Sequence, residues 1–257
     1  MRFIRKPQVY LVGRQTISEE ELARFLNDHN KASWKTDTEV GAEQLCEVAG
    51  RICYMSFGKG RKTNEEYLGH ILDVGHGSVL EHATWNLVFA GVSRSFTHEL
   101  VRHRAGFGYS QLSQRYVDES ETDFVEPDCI AEDPELHALF VETCENAQNA
   151  YVKLVDKLAA KFKDVGDRTM RRKMARQAAR SVLPNATETK IFVTANARGL
   201  RNFIELRASE HAETEIRKVA VQVLEVMRRE APNIFGDYTL HDLPDGSQEA
   251  RTKNRKV

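Results

Sequence analysis

Residues 83–104 read ATWNLVFAGVSRSFTHELVRHR. Trp85, Leu87 and Phe89 alternate along the first half, the period-two pattern of a half-buried strand. From Ser95 the pattern changes, and SFTHELVRHR reads as a helix that delivers Arg102, His103 and Arg104 at its C-terminal end. Working outward, QVYLVG (8–13) and TKIFVTA (189–195) are further strands, and most of what remains has helical spacing. Strands and helices do not alternate regularly, which disfavours a parallel doubly wound sheet. The expectation is an α+β fold, a single domain over 1–257 with long helices around a small, mainly antiparallel sheet.

Local signals place the helices. Ser18 and Glu21 have capping-box spacing, predicting a helix to about residue 29. Leu45, Val48, Ala49 and Ile52 form a second apolar stripe, and Cys46 and Cys53, seven apart, are expected to pack from one helical face. KGRKT (59–63) is a basic loop, and Thr63 and Glu66 form another capping box. The helix it opens carries Tyr67, Leu68, Ile71 and Leu72 and stops at Gly75, with His76 just beyond. Residues 118–135 are acidic, contain Pro127 and Pro134, and predict an irregular connection. Phe140, Cys144, Ala147, Tyr151, Leu154, Leu158 and Phe162 then mark one face of a long helix. Three more helices are expected over 168–180, 197–209 and 212–230, the last striped by Ile216, Val219, Ala220, Val223 and Met227. A polar tail, 244–257, is expected to be mobile.

Composition narrows the function. Lys plus Arg number 37 against 38 Asp plus Glu, so nucleic acid is not bound through global charge, and any anion site must come from local clustering. No apolar run approaches the roughly 18–20 residues that span a bilayer, and the start is too short in apolar residues for a signal peptide; the cytoplasm is the expected location. Four cysteines without a C-x-x-C make neither a disulfide framework nor a structural zinc site. His98 and His103 lie five apart, about 140° round a helix, and cannot chelate one ion together; no metal is expected.

The stretch RHRAGFGYSQLSQRY (102–116) concentrates arginines beside a glycine-loosened, hydroxyl-rich loop. It could be a solvated turn, a nucleic-acid patch or a pocket for a small anion. The basic helix, with Arg168, Arg172, Arg176 and Arg180 four apart, is ambiguous: a solvated face suits it too, while Met170, Met174 and Ala178 on the other face imply packing. No aromatics interleave with these arginines, as RNA binding would favour. Arg102, Arg104, Arg115, Arg180, Arg198 and Arg207 supply forks for phosphate, Ser113 a hydroxyl, and Gln111, Asn196 and Asn202 amides that can read a base or flavin edge. That mixture suits a nucleotide better than a duplex backbone. Taken singly, His76 and His211 read as core or cap histidines. There is neither a G-x-G-x-x-G after a strand nor a Walker loop.

In one order, GHGSVLEH, THELVRHR, YSQLSQRY, RQAARSVLPNATET, NAR and NFIELRASEHAETEI resemble the flavin-dependent thymidylate synthases, over about Arg51 to Glu230. One departure stands out. The family's signature has seven residues between Arg-His-Arg and Ser, whereas eight, Ala105 to Leu112, precede Ser113 here. The extra residue is expected to bulge within AGFG, where Gly106 and Gly108 tolerate unusual dihedrals, and no family role is carried onto 105–108.

The resemblance implies conversion of dUMP to dTMP, with 5,10-methylenetetrahydrofolate as one-carbon donor, FAD as hydride carrier, NADPH as its reductant, and FAD held between subunits of a homotetramer. It places His76, Ser113 and Arg207 at the reacting groups, with Ser113 favoured for binding and Arg207 beside the uracil. Ser78, Arg102, His103, Arg104, Asn196, Arg198, Asn202 and His211 match flavin positions. Glu99, Gln111, Leu112, Ser113, Gln114, Arg115, Arg180 and Arg207 match nucleotide positions. Neither nucleic acid nor membrane is an expected partner. Methylation of UMP by the same chemistry, or a non-enzymatic RNA-binding surface, stay open as alternatives.

Overall fold

The computed structural model describes residues 1–255. In chain order come β1 (Phe3–Ile4), β2 (Gln8–Arg14), α1 (Glu19–Asp28), α2 (Gly41–Ile52), α3 (Asn64–Asp73), a 3₁₀ turn (Gly77–His82) and β3 (Thr84–Ser93). Then follow α4 (Arg94–Leu100), β4 (Phe107–Gln111), β5 (Phe124–Val125), α5 (Asp128–Ala131), α6 (Pro134–Lys161), α7 (Arg168–Ala179) and a second 3₁₀ turn (Arg180–Val182). The chain closes with β6 (Glu188–Asn196), α8 (Ala197–Arg207), α9 (Thr214–Glu230), α10 (Pro232–Phe235), β7 (Thr239–Asp242) and β8 (Gln248–Arg251).

The principal sheet has the order β2-β3-β6-β4. Its register runs antiparallel: Leu112 N–H donates to Lys190 O and Asn196 N–H to Gly106 O, so rising numbers on β4 meet falling numbers on β6. On β3, Trp85, Leu87 and Phe89 are buried as their alternation predicts. The mixed α/β class with small, mainly antiparallel sheets therefore agrees with expectation, apart from the short parallel pair β1-β5.

The residues group into two compact units, each made from several chain segments. One comprises Met1–Gln8, Phe89–Val101 and Ser110–Ile191; the other comprises Val9–Val88, Arg102–Tyr109 and Phe192–Val257. Because the segments interleave, no linker marks the division in sequence. In the first unit α6 packs on α7, with Tyr151 and Cys144 buried from α6. In the second, α8 packs on α9, whose buried face carries Ile216, Val219, Ala220, Val223 and Met227.

Several expectations need correction. The buried face of α2 is not the Leu45–Ile52 stripe but Ala42, Glu43, Cys46, Glu47, Gly50 and Arg51. It buries a polar network: Arg51 Nε donates to Glu47 Oε1 at 2.8 Å, and Asn64 Nδ2 to Glu47 Oε2 at 2.8 Å. Cys53 is exposed because α2 ends one residue earlier, so only Cys46 is packed. Ser18 makes no side-chain cap; Glu21 pairs instead with Arg24 at 2.5 Å. Thr63 does cap, accepting from Glu66 N–H at 3.2 Å.

The 118–135 connection is not wholly irregular, since Phe124 is fully buried and β5 forms around it. Helix α6 starts at Pro134, with Asp133 as its cap, because proline suits the first helical turn. On α7, Ala175 and Ala179 are buried, while Met170 is 45% exposed and Ala178 exposed. The expected mobile tail instead folds: β8 pairs with β7, and Ala250 N–H donates to Ala208 O at 2.7 Å. Residues 256–257 of that tail lie outside the described residues.

Replacing Arg51 by alanine would leave Glu47 as a buried, uncompensated carboxylate. Arg51→Ala is expected to lower the unfolding free energy by about 3–5 kcal/mol, measured by urea denaturation; a loss under about 1 kcal/mol would contradict this role.

Candidate active site

In the second unit His103 is held as a neutral imidazole. His103 lies just past α4, 7% exposed, its ring edge-on to Phe203 with centroids 5.2 Å apart and tilted against Phe107 at 6.0 Å. Arg207, the last residue of α8, donates from Nε to His103 Nε2 at 3.0 Å. An acceptor Nε2 requires the neutral imidazole with its hydrogen on Nδ1. Burial, and then the neighbouring Arg207 charge, push the His103 pKa down from 6.5 to about 4. Tyr109 O–H donates to His103 O at 2.5 Å, and burial raises that phenol's pKa.

The AGFG segment explains how His103 is held. Phe107 N–H donates to Arg104 O at 3.2 Å, closing a turn with Gly106 at its third position at φ +74°. A Cβ there would come within 2.4 Å of the Asn196 side chain. Gly106 thus takes the unusual dihedral that the inserted residue led us to expect, and Gly108 does not.

Asn196 caps α8, accepting from Gly199 N–H at 2.8 Å. Arg198 pairs with Glu81 at 2.5 Å, each side chain 47% exposed. With Asn202 and Ala105 these residues line a cavity of about 500 Å³. Arg102, Arg104, Ser78 and His76 are exposed, His76 lining a different cavity of the same unit. His211 is 87% exposed at its side chain, 3.6 Å from Glu210.

The first unit carries the other predicted set. Gln111 Nε2 donates to Thr97 Oγ1 at 3.2 Å and Thr189 Oγ1 at 3.3 Å, which holds the start of the loop. Leu112 is fixed through its backbone to Lys190, and Ser113 Oγ accepts from Arg115 N–H at 3.4 Å. Gln114 Nε2 and Arg115 Nε are buried without a hydrogen-bond partner. Glu99 and Arg180 are half-buried.

Two neighbours escaped the sequence reading. Arg94 lies close enough to Arg180 that, after burial, that like charge is the next cause lowering its pKa, with Glu119 opposing. Glu119 is 4% exposed with Oε1 unpartnered, and burial raises its pKa. Arg94 stands at a strand–helix junction without a motif, and Glu119 lies in a stretch whose acidity suggested a solvated connection.

Residues 36–233 match the family described as "Thymidylate synthase complementing protein". The chain belongs to this family. Curated relatives carry the name flavin-dependent thymidylate synthase. The protein of Mycolicibacterium gilvum is 52% identical over 220 residues, covering 84% of this chain and 87% of the relative. That of Mycobacteroides abscessus is 51% identical over the same shares. That of Corynebacterium efficiens is 49% identical over 221 residues, covering 85% of this chain and 88% of the relative. The family match contains every site residue named above, from His76 to His211, and ends before the β7-β8 hairpin.

The two buried thiols are poor nucleophiles, while Cys53 and Cys129 are exposed. Burial pushes Cys46 up to about 12 and Cys144 up to about 11, keeping both protonated. Among the described residues no group of three His, Cys, Asp or Glu could hold a metal, and no helix is long and apolar enough to cross a membrane.

Between pH 6.5 and 4 the unfolded chain binds a proton at His103 that the folded chain does not. Stability from this group is therefore constant above 6.5 and falls as pH drops toward 4. NMR titration should show the His103 ring protonating near pH 4. In Arg207→Gln the midpoint should rise but stay below 6.5, since burial remains. A native midpoint near 6.5 would contradict the geometry.

Proposed function

We propose that this protein is a flavin-dependent thymidylate synthase, a methyltransferase that converts dUMP to dTMP. The supporting observation is the family match across 36–233, which includes the Arg207–His103 pair. One-carbon donor, hydride carrier and reductant are assigned as 5,10-methylenetetrahydrofolate, FAD and NADPH. The active form is assigned as a homotetramer and its location as the cytoplasm.

The donor sets fit these ligands. Asn202, Arg198 and Glu81 offer donors and an acceptor around a 500 Å³ cavity, the complement of a flavin's pyrimidine edge. Gln114 Nε2 and Arg115 Nε, buried donors without partners, suit an anionic nucleotide, with Arg180 adding charge. We assign dUMP's phosphate to Arg115 and Arg180 with Ser113, its sugar to Glu99, Gln111 and Leu112, and its uracil to Arg207. Ser78, Arg102, His103, Arg104, Asn196 and His211 complete the flavin set, and His76 is assigned to the reacting groups. In a homotetramer these groups need not come from one chain.

Carbon 5 of the uracil must become nucleophilic before it can accept the one-carbon unit. The classical route adds a cysteine thiolate to carbon 6, and the buried thiols here are unsuited to it. Arg207 instead stabilises the enolate that develops as carbon 5 attacks. His103 makes this possible by orienting the guanidinium while remaining neutral. The flavin supplies the hydride that converts methylene to methyl, with NADPH as reductant. Ser113 holds substrate, since its hydroxyl oxygen faces a backbone N–H rather than a base.

Arg207→Ala should retain flavin absorbance but form dTMP about 10²–10³-fold more slowly, the effect of removing one preorganised donor of developing charge. Ordinary turnover would contradict the role of Arg207. Protein that gains no flavin absorbance on adding FAD would contradict the whole reading. Cys53→Ala should stay within a few-fold of the parent; abolished turnover in a folded variant would restore a thiol route.

A further inference from the structure

The 54–62 loop is organised around a buried cation. Arg51, 1% exposed, donates from Nη1 to the carbonyls of Ser56 at 3.0 Å and Lys59 at 3.1 Å, and from Nη2 to that of Arg61 at 3.0 Å. Its guanidinium also lies over the Tyr67 ring at 4.5 Å. With the carbonyls turned onto Arg51, the loop passes through left-handed backbone at Met55, Gly58 and Gly60. Lys59 and Arg61 are both exposed. A cavity of about 440 Å³ opens here, lined by flat groups (Tyr54, Tyr67, His70, His76) and by the two cations.

Flat, partly apolar walls with a paired positive rim call for a ligand of matching design: an aromatic body that ends in carboxylates. A fixed loop adds affinity by sparing backbone entropy, while the exposed side chains of Lys59 and Arg61 still give up rotamer freedom on binding. Among the compounds of the proposed reaction, dUMP and FAD already have donor sets elsewhere. The one-carbon donor has the required shape, a fused ring and aminobenzoyl group followed by one or more glutamates.

We propose that this cavity takes the aminobenzoyl body of the one-carbon donor and that Lys59 and Arg61 bind its glutamate tail, selecting the polyglutamylated form. The assignment rests on the proposed thymidylate synthesis and adds the residues that choose among donors.

The test compares the full-length protein with the Lys59→Ala, Arg61→Ala double variant, using 5,10-methylenetetrahydrofolate with one or five glutamates. The parent should show a KM about tenfold lower for the pentaglutamate, as expected for two exposed ion pairs. The double variant should lose this preference, its pentaglutamate KM rising to the monoglutamate value while KM for dUMP stays unchanged. An undiminished preference would overturn the proposal. So would a rise confined to NADPH, which would give the two cations to a phosphate instead. Fluorescence titration with pentaglutamyl folic acid needs no turnover and separates this site from the reaction itself. Binding weakened about tenfold in the double variant upholds the site even if no dTMP forms; equal binding by both proteins overturns it.

Discussion

A guanidinium held by a neutral acceptor is the interaction on which the site depends. An imidazole with a pKa of about 4 accepts from Nε and brings no charge of its own to that contact. The imidazole is neutral because it is buried, and buried because Phe203 and Phe107 close on its ring. Phe107 in turn is placed by the turn at Gly106, where the φ of +74° and a Cβ 2.4 Å from the Asn196 side chain would strain any larger residue. A packing decision made three residues away, at Gly106, thus reaches the electrostatics of the site.

The chain uses buried arginines repeatedly to pin irregular backbone. Arg51 gathers the carbonyls of the 54–62 loop. Arg217, 4% exposed, donates to Glu210 O at 2.8 Å and Ala212 O at 3.2 Å, fixing the turn that follows Arg207. Arg201, 2% exposed, joins Ile234 O at 2.6 Å to the Asp237 carboxylate at 2.7 Å, with Tyr238 against its plane. The hairpin after residue 238 contributes as well, since Glu249 accepts from Glu210 N–H at 3.2 Å. A guanidinium can satisfy several carbonyls at once, which a loop of this kind cannot do for itself. Desolvating each cation is costly, so these contacts serve shape more than net stability.

Where burial is apolar, the sequence was a good guide. The β3 alternation and the α9 stripe follow from side chains whose only demand is to leave water, and the Gly75 stop from a residue free to take φ +73°. Helix α2 misled because its inward face carries Glu43, Glu47 and Arg51, residues that hydrophobic periodicity assigns to solvent. The tail misled for a similar reason: β7 and β8 are polar, and their pairing is specified by a partner strand rather than by a local pattern. In the site, the motifs and the glycine at 106 were legible, but the His103–Arg207 contact joins residues 104 apart and has no local signature. Arg94 and Glu119 were invisible because their relevance comes only from what folds beside them.

Activation of carbon 5 of a uracil nucleotide without a covalent thiol, with a flavin to finish the methyl group, is the proposal on which the assigned roles rest. Its most direct measurement is release of tritium from [5-³H]dUMP by the purified, FAD-loaded protein. Release that accompanies dTMP formation and requires both NADPH and 5,10-methylenetetrahydrofolate is the predicted result. A flavin-loaded protein that leaves the label on carbon 5 with both cosubstrates present would contradict it.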